Sequence, residues 1–447
     1  MKSLKRGSRL ITLMLLLFLV GMGILIAKIQ SEAAFYISNS GSRNLGFVYD
    51  CNGDILFDDN AEDGDYPAGY FKDVGNLIGD ASGQMTNTLV ANNMEYLSNY
   101  SFTSGITAKG GKAAIYSTLN HSANEAVYSS FGSKNGCAIA YNYKTGEILV
   151  CVSRPSVDPI TGYADLEDGS LLCKPFYKTV PGSTQKISTL TAGIETMGID
   201  KLMSKSFTCD GTYVNKTGKE IHCHNQYGHG TQNIAEAFAN SCNPFFAQLV
   251  EDNDWSLDDI INVYTQMGYA VNGAESRYYS IDGITCSRAS TDLENKNEFN
   301  TQWSCIGQGT SMVSPCQLMM WQSAIANKTG KATMPYLIDH VTNVNGRTVK
   351  SAETAYSEKL FSANTAAEVK KIMLENGENY TGKIPGYTLG IKSGTAQVKN
   401  GDEENSLLTG FVDDDDFPIA FAILIENKSE YDVTTEAVAN EILSSLS

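Results

Sequence analysis

An apolar run from Leu10 to Ala27, interrupted only by Thr12, Gly21 and Gly23, constrains this chain more than any other feature. As a helix its 18 residues rise roughly 27 Å, close to the hydrocarbon thickness of a bilayer. Lys2, Lys5, Arg6 and Arg9 precede it and Lys28 comes directly after it. The positive-inside rule then keeps the N-terminus cytoplasmic and exports the chain beyond Lys28. A cleaved signal peptide is the competing reading, with small residues for a peptidase at Ser31-Glu32-Ala33-Ala34. Signal h-regions run about 7–15 residues, shorter than this one, so the expectation is an uncleaved anchor over 10–28 behind a basic tail at 1–9.

The anchor also explains an uneven charge. The chain carries 33 Lys+Arg and 50 Asp+Glu, a net −17, yet its first 28 residues contain five basic groups and no acidic one. The remaining 419 residues are therefore strongly acidic, and phosphate backbones would repel them, which argues against a nucleic-acid partner. With 42% hydrophobic residues the body can bury a large core, so it is not a disordered chain.

The texture changes near residue 135. Residues 29–134 are rich in Asn, Gly, Ser and Asp, with short apolar pieces at Phe47-Val48-Tyr49 and Ile55-Leu56 around an Asn52-Gly53 turn. They read as a membrane-proximal pedestal with short helices at Leu89–Leu97 and Ser122–Tyr128. From residue 135 to 447, the strand-like runs are Cys137–Tyr141, Ile148–Val152, Leu389–Val398, Leu407–Val412 and Ile419–Ile425. Thr184–Met197, Ile234–Glu251 in two pieces, and Thr434–Leu446 read as helices. Hairpins and helices without regular βαβ alternation predict an α+β fold: an antiparallel sheet flanked by helices.

Ser183-Thr184-Gln185-Lys186 is the only Ser-x-x-Lys in the chain. Pro181-Gly182 before it and an apolar helix after it place Ser183 at a helix N-terminus. Orphan N–H groups there favour negative charge on a serine oxygen and on a developing oxyanion. Lys186, one turn along on the same face, brings an amine to that hydroxyl. Such an amine serves as a base near neutral pH only if burial or a neighbouring cation lowers its pKa. Asn240-Ser241-Cys242-Asn243 supplies Ser-x-Asn, which alone reads as helix capping. Lys392-Ser393-Gly394-Thr395 lies in a strand-like stretch, and alone reads as a strand with a close backbone approach at Gly394. A literal Lys144-Thr145-Gly146 precedes the serine in a hairpin turn and is rejected as part of a site. The group Cys209, His222, Cys223, His224 and His229 leaves three readings open: a zinc site, a Cys209–Cys223 disulfide, or free thiols.

Ordered along one chain, Ser-x-x-Lys, Ser-x-Asn and Lys-Ser-Gly-Thr form the set found in penicillin-binding proteins and class A β-lactamases. With Val152-Ser153-Arg154-Pro155, Gly228-His229-Gly230, Ile306-Gly307-Gln308-Gly309 and Ser314-Pro315-Cys316-Gln317-Leu318, the stretch from Gly136 onward resembles the transpeptidase domain of a class B penicillin-binding protein. That resemblance implies a β-lactamase/transpeptidase-like fold with a helical subdomain. It implies a D,D-transpeptidase that cross-links peptidoglycan stem peptides through an acyl-enzyme at Ser183, with β-lactams as covalent inhibitors. Lys186 would take the serine proton and Ser241 would relay one to the leaving amine. Asn243 would position the substrate amide and Lys186, and Lys392 would add positive potential. Ser393, Gly394 and Thr395 would hold the substrate carboxylate, and the backbone N–H groups of Ser183 and Thr395 would form the oxyanion hole. No cofactor or metal is implied. Similar transpeptidases carry a Cys pair like Cys209 and Cys223, which favours a disulfide there, and a polytopic SEDS-type glycosyltransferase is the implied membrane partner. The alternatives are a D,D-carboxypeptidase or β-lactamase of the same superfamily, or a non-catalytic membrane-anchored scaffold.

Overall fold

The computed structural model describes residues 2–31, 45–98, 100–101, 105–106, 113–275, 278–428 and 433–447. Glu32, Ala33 and Ala34 of the alternative cleavage segment lie outside these. Lys2–Ser31 is one continuous helix. From Leu10 to Leu25 its large apolar side chains are exposed, so the protein body supplies no core for them. The segment Gly7–Ile29 is long and apolar enough to cross a membrane.

Downstream, a five-stranded antiparallel sheet runs in the order Leu389–Val398, Glu403–Val412, Ile419–Ile425, Gly136–Asn142, Ile148–Arg154. Period-two alternation sends successive side chains to opposite faces. Ala138, Ala140, Val150, Val152, Phe421 and Ile423 pack with Val438, Ile442 and Leu443 of the C-terminal helix Thr435–Leu446. Cys137, Ile139, Tyr141, Ala420, Ala422 and Leu424 face the larger core on the other side. That core contains Pro315–Ala326, a helix buried along its whole length. Burial on both faces explains why Ile419–Ile425 is apolar at every position. The mixed α+β architecture expected from the sequence is the one observed. The rejected Lys144-Thr145-Gly146 lies in the first hairpin turn, where Lys144 pairs with Asp415 of the acidic turn 413–416.

The expected pedestal is less separate than a boundary at residue 134 suggests. Phe47–Tyr49 and Ile55–Phe57 pair as an antiparallel hairpin. The sheet they belong to continues through Ala114–Ser117 into Ile338–Thr342 and Thr348–Ser351, from far along the chain. His121–Ser130, assigned to the pedestal, instead places Ala123 and Val127 in the core shared with the C-terminal helix. Asn120 caps that helix by accepting from Ala123 N–H at 3.0 Å.

Candidate active site

Three segments converge on one cleft of about 520 Å³, whose walls include Ser183, Ser241, Asn243, Ser393 and Thr395. Gly182–Gln185 forms a tight 3₁₀ turn that feeds the helix Lys186–Met197. Gly182 has φ +52°, and a Cβ there would lie 2.5 Å from the carbonyl oxygen of Thr395. The turn that carries Ser183 is thus pressed against the strand Leu389–Val398. Gly307 (φ +104°) backs the same turn, where a Cβ would come 1.7 Å from the Gly182 carbonyl oxygen.

Lys186 is fully buried. Its Nζ lies 2.7 Å from Ser183 Oγ, 2.9 Å from the Ser241 carbonyl oxygen, 3.3 Å from Ser241 Oγ and 2.7 Å from Asn243 Oδ1. Asn243 is itself oriented by donating from Nδ2 to the His222 carbonyl at 3.0 Å. Ser241 adopts φ +50°, a left-handed conformation unusual for a residue other than glycine. It occupies the break between the helices Ile234–Ala239 and Asn243–Glu251, and that conformation lets both its carbonyl and its hydroxyl face the lysine. The two helical pieces expected over Ile234–Glu251 are present, and the break falls before Asn243 because Pro244 is accommodated in the first turn of the second helix.

Lys392, on the strand, is equally buried and donates to Ser241 Oγ at 3.1 Å and to the Ser393 carbonyl at 3.0 Å. The two ammonium groups lie over aromatic faces, Lys186 5.7 Å from the Phe246 centroid and Lys392 5.6 Å from that of Phe238. Burial lowers the Lys392 pKa to about 7. Burial first, and the positive charge of Lys392 second, push Lys186 well below the ordinary lysine range. The polar partners of both amines are hydroxyls, carbonyls and an amide rather than carboxylates, so a neutral Lys186 is accessible near neutral pH.

Two neighbours of the third motif escaped the sequence reading. Tyr380 donates its hydroxyl to Ser393 Oγ at 2.8 Å, and Gln308 Nε2 reaches the Thr395 carbonyl at 3.4 Å. Gln308 stood within the Ile306-Gly307-Gln308-Gly309 stretch but without a role, and Tyr380 carried no signal at all. Phe299 and Trp303, stacked at 5.3 Å, form an aromatic wall of the cleft.

The cysteine expectation needs correcting. Cys209 and Cys223 are both free thiols, like the chain's other eight cysteines, and the expected bridge between them is not formed. Instead, Cys209, Cys223, His229 and Cys242 each bring a donor atom within 4.8 Å of the others. The strand pairing of Cys209 with Gly230 explains part of this, since it delivers His229 beside Cys209. His222 points elsewhere, to Thr212 and Glu220. Three sulfurs and one imidazole, mostly buried, form a closed donor set of the type that holds zinc tetrahedrally. Cys242 is the middle residue of Ser241-Cys242-Asn243, so the cluster is covalently continuous with the second motif.

Residues 136–446 match the family model described as the penicillin binding protein transpeptidase domain. The chain is 29% identical over 304 residues to stage V sporulation protein D of Bacillus subtilis, covering 65% of this chain and 45% of that protein. It is 24% identical over 349 residues to the peptidoglycan D,D-transpeptidase MrdA of Acinetobacter baumannii, covering 70% and 51%. The chain therefore spans about half the length of these curated relatives. Among solved structures, PBPA from Mycobacterium tuberculosis superposes with a TM-score of 0.75 at 18% identity, over 91% of this chain and 100% of that one. The D,D-transpeptidase domain of a peptidoglycan glycosyltransferase from Eggerthella lenta gives 0.73 at 22%, over 90% and 97%. With the match extending over most of its length and the three motifs meeting in one cleft, the chain belongs to the penicillin-binding protein transpeptidase family.

Proposed function

We propose that this chain is a serine D,D-transpeptidase that cross-links peptidoglycan stem peptides and is acylated by β-lactams. The observation that carries the reading is the 2.7 Å contact between Lys186 Nζ and Ser183 Oγ, made by an amine whose pKa is depressed. A neutral amine has two N–H bonds and one lone pair. The Ser241 carbonyl and Asn243 Oδ1 accept the two N–H bonds, which leaves the lone pair for the Ser183 proton.

Ser183 Oγ attacks the carbonyl carbon of the penultimate D-Ala as its proton passes to Lys186. The backbone N–H groups of Ser183 and Thr395 receive the resulting oxyanion, a role supported by the close approach of the two backbones at Gly182. The C–N bond breaks, and the departing D-Ala amine takes a proton through Ser241 Oγ, which lies within reach of both lysines. Asn243 orients the substrate amide together with Lys186, while Ser393, Gly394 and Thr395 bind the terminal carboxylate. An amine from a second stem peptide then attacks the ester, forming the cross-link and returning the proton to Ser183. Zinc, where bound, would be held by Cys209, Cys223, His229 and Cys242 as a structural clamp on the Ser241–Asn243 segment.

The unburied N-terminal helix and its basic flank support a single-pass topology, with the tail 1–9 in the cytoplasm and the body outside. Within this reading a SEDS-type glycosyltransferase is the membrane partner. The direct test is incubation of the full-length protein in detergent with a fluorescent penicillin, beside Ser183→Ala. The expected result is a covalent label on the wild type alone. An unlabelled wild type would overturn the proposal, and rapid release of hydrolysed drug would point to a β-lactamase instead.

A further inference from the structure

Beyond the strand Ile419–Ile425 the chain turns at Asn427 (φ +47°) and is clipped to the neighbouring strand. Asn427 N–H donates to Asn405 Oδ1 at 3.1 Å, and Lys428 N–H donates to the Glu404 carbonyl at 2.8 Å. These backbone anchors hold the Lys428 side chain at the mouth of the cleft. Its Nζ donates to Thr395 Oγ1 at 3.3 Å and pairs with the Glu404 carboxylate at 3.1 Å. Thr395 and Glu404 both line the cleft.

The contrast with Lys392 gives this position its meaning. Lys392 is buried, its contacts are to Ser241 Oγ and the Ser393 carbonyl, and desolvation brings its pKa to about 7. Burial disfavours its charged form, and its amine is engaged by Ser241 and Ser393 rather than by the Thr395 hydroxyl. The cationic group at that hydroxyl is Lys428, about one-third exposed and reachable from solvent.

We propose that Lys428 is a specificity-determining residue, whose ammonium binds the terminal carboxylate of the donor peptide, or the carboxylate of a β-lactam, alongside Thr395 Oγ1. In the free protein Glu404 occupies the place of that anion. An entering carboxylate replaces one carboxylate partner with another, so the lysine is held near its bound position and is never left unpaired. A neutral ester or amide cannot make this exchange. No covalent step is involved.

This inference rests on the transpeptidase reading and is tested separately from it. Second-order acylation rates of the full-length protein are measured with benzylpenicillin and with its methyl ester, for wild type, Lys428→Ala and Lys428→Arg. Loss of one charge-assisted contact is expected to slow Lys428→Ala with the acid by roughly tenfold. The ester rate should stay within about twofold of wild type and reports an intact site, and Lys428→Arg should recover most of the acid rate. An unchanged acid rate in Lys428→Ala, equal slowing of acid and ester, or equal rates for the Ala and Arg variants would each overturn the role of Lys428. Absence of acylation in the wild type would overturn the transpeptidase reading instead.

Discussion

Ser241 Oγ accepts a hydrogen bond from Lys392 Nζ at 3.1 Å, and the same oxygen lies 3.3 Å from Lys186 Nζ. One hydroxyl therefore separates two buried amines, and the protonation of one sets the proton affinity of the other. Lys186 reacts as a base only when neutral, so acylation should rise with pH as Lys186 loses its proton. Lys392→Met removes the nearby charge, raises the Lys186 pKa and moves the acid limb of the profile to higher pH. The penalty should be greatest where Lys392 is still charged in the wild type and shrink above about pH 7, as burial brings Lys392 towards its neutral form. Stopped-flow acylation by a chromogenic cephalosporin across pH checks this. A profile that is lowered uniformly without moving would contradict the coupling.

Tyr380→Phe deletes the donor to Ser393 Oγ without opening a cavity. A hydrogen bond of this kind contributes about 1 kcal/mol, so acylation efficiency should fall about fivefold with the pH profile unmoved. A shifted profile would mean that Tyr380 acts on the lysines rather than on Ser393.

Purified protein should contain about one zinc per chain, measured by mass spectrometry of the metal. Cys242→Ser should lose the metal and lower both the Tm and the acylation rate, because the same residue joins Ser241 to Asn243. A metal-free wild type that is two hydrogen atoms lighter than its reduced form, with peptide mapping that links Cys209 to Cys223, would restore the disulfide reading.

Gly307→Ala should destabilise the chain by about 1–3 kcal/mol and impair acylation. Its methyl group would collide with the Gly182 carbonyl oxygen and displace the turn that carries Ser183. Thermal unfolding and penicillin labelling together decide this; an unchanged Tm with full labelling would show that the turn can yield.

The features legible in the sequence were local. The Ser183–Lys186 spacing specified its own geometry because helical residues three apart share a face, and the apolar run Cys137–Tyr141 marked a strand in either context. The relationships that escaped were set by distant packing. Nothing local marks Ile338–Thr342 as a partner for Ala114–Ser117, or brings Tyr380 to Ser393. Ser241 gave no hint of its left-handed backbone, which the flanking helices impose. Three of the four members of the cysteine cluster, Cys209, Cys223 and His229, stand close together in the sequence, but Cys242 belongs to another motif, and without it the set is one sulfur short.

The order of strands in the catalytic sheet bears on how the protein comes into being. Translation delivers Gly136–Asn142 long before one of its two neighbours, Ile419–Ile425. Until then one edge of an apolar hairpin stays open, with unpaired backbone groups able to recruit a strand from another chain. The pedestal sheet waits in the same way for Ile338–Thr342. A nascent chain cut short between Lys186 and Leu389 would hold Ser183 and Lys186 but no opposing strand, so it could not form the cleft. Formation of the cleft thus waits for Leu389–Val398, however long Ser183 and Lys186 have already been made.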